Sequence, residues 1–386
     1  MNYKNEDGIL TIYLEGNLDT NNAEQVGHEI EEIRRQNPEG KLVLDVEELR
    51  YISSAGLRQI LKMKKKEKDL QVINCSTEVY DIFEMTGFTE MIDISKAFRK
   101  ISVEGCEVIG EGSNGIVYQI NPDTIIKVYK NPDALEDIKH ERELAKTALV
   151  MGINTAIPFD VVKVDDKYGA IFELLSSSSL TKLIKSDPDN RDKYIKVYAD
   201  FLKEIHETDV RPGLLPSAKQ QTLGRIEWLE THIDKDVYKK LHAMVEEIPE
   251  SDKMVHGDYH TSNVHYDGNE AVLLDMDTLS VGDPIFDFAA IYLAYEGFGE
   301  LDHAGVEKFL QIDYDTASYI QKKLYDDYFE GKDEAYKESV KNKAKVLGYA
   351  RVLRRTMKRL PDETKQIDYY REKLYETVAK VDDLII

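Results

Sequence analysis

His256-Gly257-Asp258-Tyr259-His260-Thr261-Ser262-Asn263-Val264, followed by Leu274-Asp275-Met276-Asp277, places an Asp, an Asn five residues on, and another Asp twelve beyond that. This is the layout of a phosphoryl-transfer centre. The first Asp can accept the proton of an attacking hydroxyl, while the Asn and the second Asp hold magnesium against the phosphates of ATP. The spacing predicts a chemistry without naming an acceptor.

Working upstream, Gly110-Glu111-Gly112-Ser113-Asn114-Gly115-Ile116-Val117 satisfies G-x-G-x-x-G-x-V between two strand-like runs. There, Gly110, Gly112, Ser113, Asn114, Gly115 and Val117 can fold over ATP phosphates through backbone N–H groups. Alone, such glycines also suit a plain tight hairpin. Ile125-Ile126-Lys127-Val128-Tyr129 follows as a strand whose Lys127 can bridge the α- and β-phosphates, and the next helix carries Glu141, a partner for that lysine. Glu143 is the rival, but two residues along a helix is about 200° around it, so only one of them faces Lys127. Glu141 is preferred. Phe172-Glu173-Leu174-Leu175 ends a strand where backbone groups around Glu173 and Leu175 can meet adenine; a buried strand end is the plain alternative. Each element has a bland reading, but their joint order points to a kinase.

Residues from about 103 to 386 resemble the aminoglycoside phosphotransferase and choline kinase group of kinase-like enzymes, through HGDYHTSNV and the run from Leu274 to Ala289 that includes Gly282-Asp283-Pro284-Ile285-Phe286-Asp287. The resemblance implies an α+β two-lobed protein-kinase-like fold, with a β-rich N-lobe over about 103–174 and a mainly helical C-lobe over about 178–386. It also implies ATP with Mg2+, Asp258 as catalytic base, and Asn263 and Asp275 as metal ligands. Asp283 and Asp287 match later aspartates that brace the lobe, and His256 and His260 position the catalytic loop. Thr261-Ser262 replaces a common Pro-Gly, and Asp277 stands where a longer Glu is frequent. His206 is read as a packed helix residue.

The first hundred residues read as β-α-β-α-β-α-β, one small α/β domain. Leu10, Ile12 and Leu14 alternate as in a half-buried strand, Asn21 or Asn22 caps a helix with Ala23, Val26, Ile30 and Ile33 on one face, and Leu42 to Val46 forms a central strand. A second helix starts near Ser54, a third strand is Gln71 to Cys75, a third helix runs from about Val79 to Met85, and a short strand closes at Ile92 to Ile94. Tyr51-Ile52-Ser53-Ser54-Ala55-Gly56-Leu57 puts a serine at a helix N-terminus, where a phosphate meets free N–H groups and the positive end of the helix dipole; a plain N-cap is the alternative. Residues 1–100 resemble the STAS domain of anti-sigma factor antagonists, in which a serine at the position of Ser54 is the regulatory phosphosite. The Asp usual before it is Ser53 here.

Of the 386 residues 42% are apolar, enough for at least two cores, and 73 acidic against 51 basic residues give a net charge of −22. That balance argues against nucleic acid or an anionic membrane as partner and favours a cationic or neutral small-molecule hydroxyl substrate. Cys75 and Cys106 sit in apolar settings without C-x-x-C company, and no run approaches the length of a membrane span, so a soluble, cytoplasmic protein is expected. Arg351, Arg354, Arg355, Lys358 and Arg359 share one helical face. In so acidic a chain the stripe is expected to pair with carboxylates elsewhere in the lobe or at the domain interface; docking an anionic partner is the alternative. Tyrosines, many of them after position 290, are core or an aromatic pocket for a cation.

The leading expectation is an ATP-dependent phosphotransferase acting on a hydroxyl of an amino sugar, amino alcohol or similar compound, with the STAS-like module as regulatory or interaction arm. Two alternatives stand beside it. One is a protein serine kinase acting on Ser54 or a partner STAS domain; the other is a nucleotide-binding signalling adaptor of the anti-sigma antagonist type.

Overall fold

The computed structural model describes residues 1–112 and 114–386, and the chain divides into two compact units: 1–102 with 161–166, and 103–160 with 167–386. The first begins with a hairpin. Asp7 and Gly8 both have positive φ, 50° and 78°, so the strands β1 (Tyr3–Glu6) and β2 (Ile9–Tyr13) fold back antiparallel with the right-handed twist a hairpin needs. Next come β3 (Gly16–Leu18), α1 (Ala23–Gln36), β4 (Lys41–Asp45), β5 (Leu49–Ile52), α2 (Ser54–Lys66), β6 (Gln71–Cys75), α3 (Thr77–Met85) and β7 (Asp93–Lys96). The main sheet runs β1-β2-β4-β6-β7 and is parallel from β2 onward, while β3 and β5 pair separately. Leu42 to Leu44 form a continuous buried run in the central strand, as parallel strands covered on both faces require. With Leu10, Ile12, Ile30, Ile60, Val72 and Phe83 they make one core. The short β8 (Arg99–Lys100) runs parallel to Val162 and Lys163 of the strand Asp160–Val164, which is β12 in chain order.

Asn22 does stand at the N-cap position of α1, but its side chain accepts from the Asp19 N–H at 2.9 Å instead of capping the helix. Ser53 is the working cap of α2: its hydroxyl accepts from Ala55 N at 3.2 Å and Gly56 N at 3.4 Å. Ser54, the first helical residue, is left exposed.

In the second unit β9 (Glu107–Glu111), β10 (Gly115–Asn121), β11 (Thr124–Tyr129) and β13 (Lys167–Glu173) form an antiparallel array in the order β9-β10-β11-β13, with α4 (Leu135–Val150) after β11. The following segment is β14 (Ser178–Ser179), α5 (Leu180–Ser186), α6 (Arg191–Glu207), α7 (Ala218–Glu227) and α8 (Lys235–Glu246). The short strands β15 (Met254–Val255), β16 (Val264–Tyr266), β17 (Ala271–Leu273) and β18 (Ser280–Val281) frame the two polar segments 256–263 and 274–278. Helices α9 (Ile285–Tyr295), α10 (Ala304–Leu310), α11 (Tyr314–Tyr328), α12 (Glu334–Arg359) and α13 (Thr364–Lys380) complete the helical part. Every residue of α9 is buried, which makes it the axis on which α11 and α12 pack. This strand-rich part followed by a helical part is the two-lobed architecture that the family resemblance implied. Among the described residues no helix is long and apolar enough to cross a membrane.

Candidate active site

The sequence from 254 to 281 folds into nested turns. The pairing of β15 with β18 closes the outside, the β16–β17 hairpin closes the inside, and the two polar segments 256–263 and 274–278 are left side by side. A backbone bond from Leu274 N to Asn263 O, 2.8 Å, fixes them at the point where chemistry is expected. Asn263 Nδ2 donates to Asp258 O at 3.1 Å, which fixes the amide against the loop that carries Asp258. Asp275 adopts the left-handed conformation, φ 61°, uncommon for a residue with a side chain and costing of order 1 kcal/mol. That turn brings its Oδ1 to 3.5 Å from Lys127 Nζ.

Lys127, on β11, also lies 3.2 Å from Glu141 Oε1 and 3.4 Å from Oε2. Glu141 is buried on α4 and accepts a further bond from the Tyr129 hydroxyl at 2.8 Å. Burial alone would push the Lys127 ammonium down; Glu141 and Asp275 outweigh it and hold it above its ordinary value. Glu143 points elsewhere, exposed and 3.9 Å from Lys146. Helix α4 also packs on the Met276–Thr278 turn, so the strand lysine, helix glutamate and Asp275 loop are mechanically joined.

Asp258 keeps 36% of its side chain exposed at the floor of a recess of about 340 Å³, into which Asn114, Asp275, Asp277 and Thr278 also project. Burial opposes its charge, but His260, whose Nε2 is 3.7 Å from Oδ2, and Arg351, whose guanidinium is 3.8 Å from Oδ1, hold it well below the usual carboxylate range. Asp277 goes the other way: burial and the like charges of Asp275, Glu141 and Asp258 push it up to about 7. Excess negative charge has therefore accumulated around Asp275 and Asp277.

The loop carrying Asp258 is braced from beneath. Asp287, fully buried on α9, accepts from His256 N at 2.9 Å, from Gly257 N, and from His206 Nε2 at 2.9 Å. His206 is thus a packed bracing residue, its Nδ1 accepting from the Tyr328 hydroxyl at 2.8 Å. Gly257 has φ 79°, and a Cβ there would sit 2.9 Å from Thr278 O, so glycine is required. His256 Nδ1 accepts from Asp258 N at 3.3 Å, and its Nε2 lies 3.2 Å from Leu274 O. Thr261 and Ser262 are locked by hydroxyls: Thr181 Oγ1 is 2.7 Å from Thr261 Oγ1 and 3.0 Å from Ser262 Oγ, and Thr261 N donates to the Tyr295 hydroxyl at 2.9 Å. Tyr198 and Tyr259 stack at 4.6 Å and each bonds the other's backbone carbonyl. These tyrosines are core, and they carry the loop.

In the glycine turn, Gly110 pairs with Val117, Gly112 N donates to Gly115 O at 2.9 Å, and Lys130 N donates to Asn114 O at 2.9 Å. A Cβ on buried Gly115 would lie 2.7 Å from Val128 O, so that glycine is demanded by the sheet itself. Ser113 lies outside the described residues. Glu173 ends β13 opposite Thr124, Leu174 N donates to Asp123 O at 2.9 Å, and Leu175 follows, half-buried. Neither contacts the Lys127–Asp275 cluster through any described bond.

The basic stripe departs from expectation. Only Arg351 meets a carboxylate, that of Asp258, and donates to Gly257 O at 2.6 Å; Arg354, Arg355, Lys358 and Arg359 line the same recess with no carboxylate partner among the described residues. The reason is geometric: α12 packs on α9, which turns this face of the helix toward the catalytic loop. Arg225, on α7, joins them, and nothing in its local sequence singled it out.

Residues 105–319, more than half of the chain, match the phosphotransferase enzyme family. The chain belongs to that family. It is an ATP-dependent kinase with an alcohol group as acceptor. Residues 1–101 match the STAS domain, and over 95 residues the chain is 34% identical to a putative anti-sigma factor antagonist, BtrV, of Bordetella bronchiseptica, covering 24% of this chain and 81% of that protein. Among solved structures, a thermostable mutant of the aminoglycoside phosphotransferase APH(4)-Ia, in ternary complex with AMP-PNP and hygromycin B, matches with TM-score 0.50 and 13% identity over 71% of this chain and 93% of that one. ADP-bound aminoglycoside phosphotransferase APH(2'')-Ib matches with TM-score 0.49 and 18% identity over 77% and 98%. At 13% identity the first likeness shows the fold.

Proposed function

We propose that this phosphotransferase moves the γ-phosphoryl group of magnesium-bound ATP to the hydroxyl of a small molecule, with Asp258 as proton acceptor. The observation that carries the reading is the position of Lys127, held between Glu141 at 3.2 Å and Asp275 at 3.5 Å. A half-buried ammonium shared by two carboxylates from different elements is arranged to meet nucleotide phosphates on one side while its partners fix it on the other.

In this assignment the backbone of 110–112 and 114–117 covers the phosphates, Lys127 pairs with the α- and β-phosphates, Glu141 sets Lys127, and the backbone at Glu173 to Leu175 meets adenine. Asn263 Oδ1 and Asp275, with Asp277 beside them, are hard oxygen donors suited to Mg2+. Mg2+ commonly takes one or two protein carboxylates and completes its shell with phosphate and water. Magnesium, when bound, would neutralise charge on the phosphates.

The acceptor oxygen would bond to the γ-phosphorus as the bridge to the β-phosphate breaks, and its proton would pass to an Asp258 oxygen. Because Asp258 is held ionised, it is a weak base toward a free hydroxyl; transfer becomes favourable only once the new O–P bond acidifies the proton. Until then it orients the hydroxyl. With Mg-ATP and a panel of hydroxylated compounds, Asp258→Asn should lower turnover by about 10²- to 10⁴-fold while nucleotide binding persists. Equal turnover by both proteins would overturn the assignment.

The STAS module is proposed as a protein-interaction arm, with Ser54 as its phosphosite. Support comes from the exposed Ser54 hydroxyl on the first residue of α2, one position after a cap already supplied by Ser53.

A further inference from the structure

We propose that the acceptor is an anion: a small hydroxylated compound whose carboxylate or phosphate-ester group is held by Arg225, Arg354 and Arg355 while its hydroxyl lies against Asp258. This rests on the phosphotransfer reading above and assigns the substrate class to it.

The chain as a whole is strongly acidic, at −22, so carboxylates are plentiful and an exposed arginine usually finds one. In the recess above Asp258 the balance inverts. Six cations, Arg225, Arg351, Arg354, Arg355, Lys358 and Arg359, share about 340 Å³ with three carboxylates, Asp258, Asp275 and Asp277. Two of the carboxylates are already committed, Asp258 to Arg351 and Asp275 to Lys127, and the third, Asp277, lies among the like charges of Asp275, Glu141 and Asp258 and makes no described ion pair with the six cations. Five cations from two helices are thus left facing one space with no carboxylate of their own among the described residues.

Three of these side chains lie over aromatic rings. Arg354 and Lys358 lie 5.7 and 5.2 Å over the Trp228 ring, and Arg355 lies 5.4 Å over Phe298. Stacking on a ring face leaves the planar donors of a guanidinium free at its edge, the arrangement that receives a carboxylate or phosphate in bidentate fashion. Arg354 Nε is buried without a hydrogen-bond partner. Arg225 reports the same crowding, its guanidinium pushed down to about 10 by burial and by the charges of Arg351 and Arg354. Cations driven together in a half-buried site cost stability unless an anion joins them. The opposite charge pattern would suit a polyamine or aminoglycoside, whose ammonium groups would meet guanidinium groups here.

The recess therefore has two ends. The acidic end, with Asp275 and Asp277, faces the metal and nucleotide; the basic end takes the acid group of the acceptor, and Asp258 lies between them.

The test uses the full chain with Mg-ATP and matched acceptors that differ by one charged group: glycerate against glycerol, a hexose monophosphate against the free hexose, and hygromycin B as polycation. Binding of each is also measured calorimetrically with Mg-AMP-PNP present, so that the charge preference is read even where no transfer occurs. Acid members should bind and react, with the carboxylate and phosphate arms separating the two sources of anion, and KM should rise with salt. Arg355→Glu, at an exposed position that should not disturb folding, and Arg225→Gln should each raise KM or Kd for the acid compounds by about 10- to 100-fold with nucleotide affinity unchanged. Acid members binding no tighter than neutral ones, or a loss confined to nucleotide affinity, would overturn the proposal. Anion binding without transfer to any compound would instead sink the phosphotransfer reading and leave the anion site standing.

Discussion

At the scale of single residues, the Lys127–Glu141 contact is the test of how the site is held. Glu141 is buried and has two described partners, Lys127 and Tyr129. Lys127→Met removes one and leaves a carboxylate with a single hydroxyl donor, so stability should fall by about 1–3 kcal/mol along with turnover. Glu141→Gln keeps an acceptor for Tyr129 and removes the charge, so its urea midpoint should drop less although turnover suffers. The reverse order of midpoints would show that Lys127 does not satisfy Glu141. Both residues were legible in the sequence, because helical periodicity allowed only one glutamate to face the strand. Arg351 and its neighbours were legible as a stripe but not as a recess wall: periodicity says which residues share a face and is silent on what that face meets. Arg225 had no signal at all, since the arginines beside it, Arg351 and Arg354, come from more than a hundred residues downstream.

At the scale of elements, long periodic helices and continuous apolar strands could be read directly, and short pieces could not. The strand β1 is exposed along its whole length and has no burial pattern to detect, so the reading from sequence began one strand late, at β2. The strands β14, β15 and β18 have two residues each, too few for any period; β15 and β18 pair with each other to close the 256–278 segment from outside, and β14 adds to the edge of β16. Helix α9 shows what such closure depends on. Its Asp287 holds two N–H groups of the 256–257 turn and the ring of His206. Full burial works against that carboxylate's charge, and His206, His256 and the backbone donors more than offset it, so its titration is held below the ordinary range. A depressed carboxylate adds stability above the unfolded value near pH 4 and loses it as pH falls through that value toward the folded one. The wild type should therefore lose stability below about pH 4. Asp287→Asn should be less stable at pH 7 by about 1–3 kcal/mol and show a flatter acid limb. Parallel acid limbs in the two proteins would remove Asp287 from the bracing role.

At the scale of the whole molecule, the apolar residues of the STAS module form a core whose members all lie between Leu10 and Ile92, while the phosphotransferase core draws only on residues from Leu144 onward. Two cores without shared members should unfold as two cooperative units. The two cysteines allow each to be followed. Cys75 is buried in the STAS core at 1% exposure, and burial with the nearby Asp45 charge pushes its thiol up to about 12, so at pH 8 almost no reactive thiolate forms while the module is folded. Unfolding returns it to an ordinary value near 8.5 and frees it to react. Cys106, only partly buried in the other unit, should alkylate in the native protein. Pulse labelling with iodoacetamide along a urea gradient, read by peptide mass, should show Cys106 modified throughout and Cys75 only beyond the module's own transition. The fragment 1–98 should reproduce that transition. Truncation there removes the pairing of Arg99 and Lys100 with Val162 and Lys163 and the ion pair of Lys100 with Glu47, and leaves every core residue in place. If Cys75 were labelled before any loss of structure, or if the fragment melted without cooperativity, the STAS module would not be an independent unit, and regulation through it would have to act by a route other than a separately folded arm.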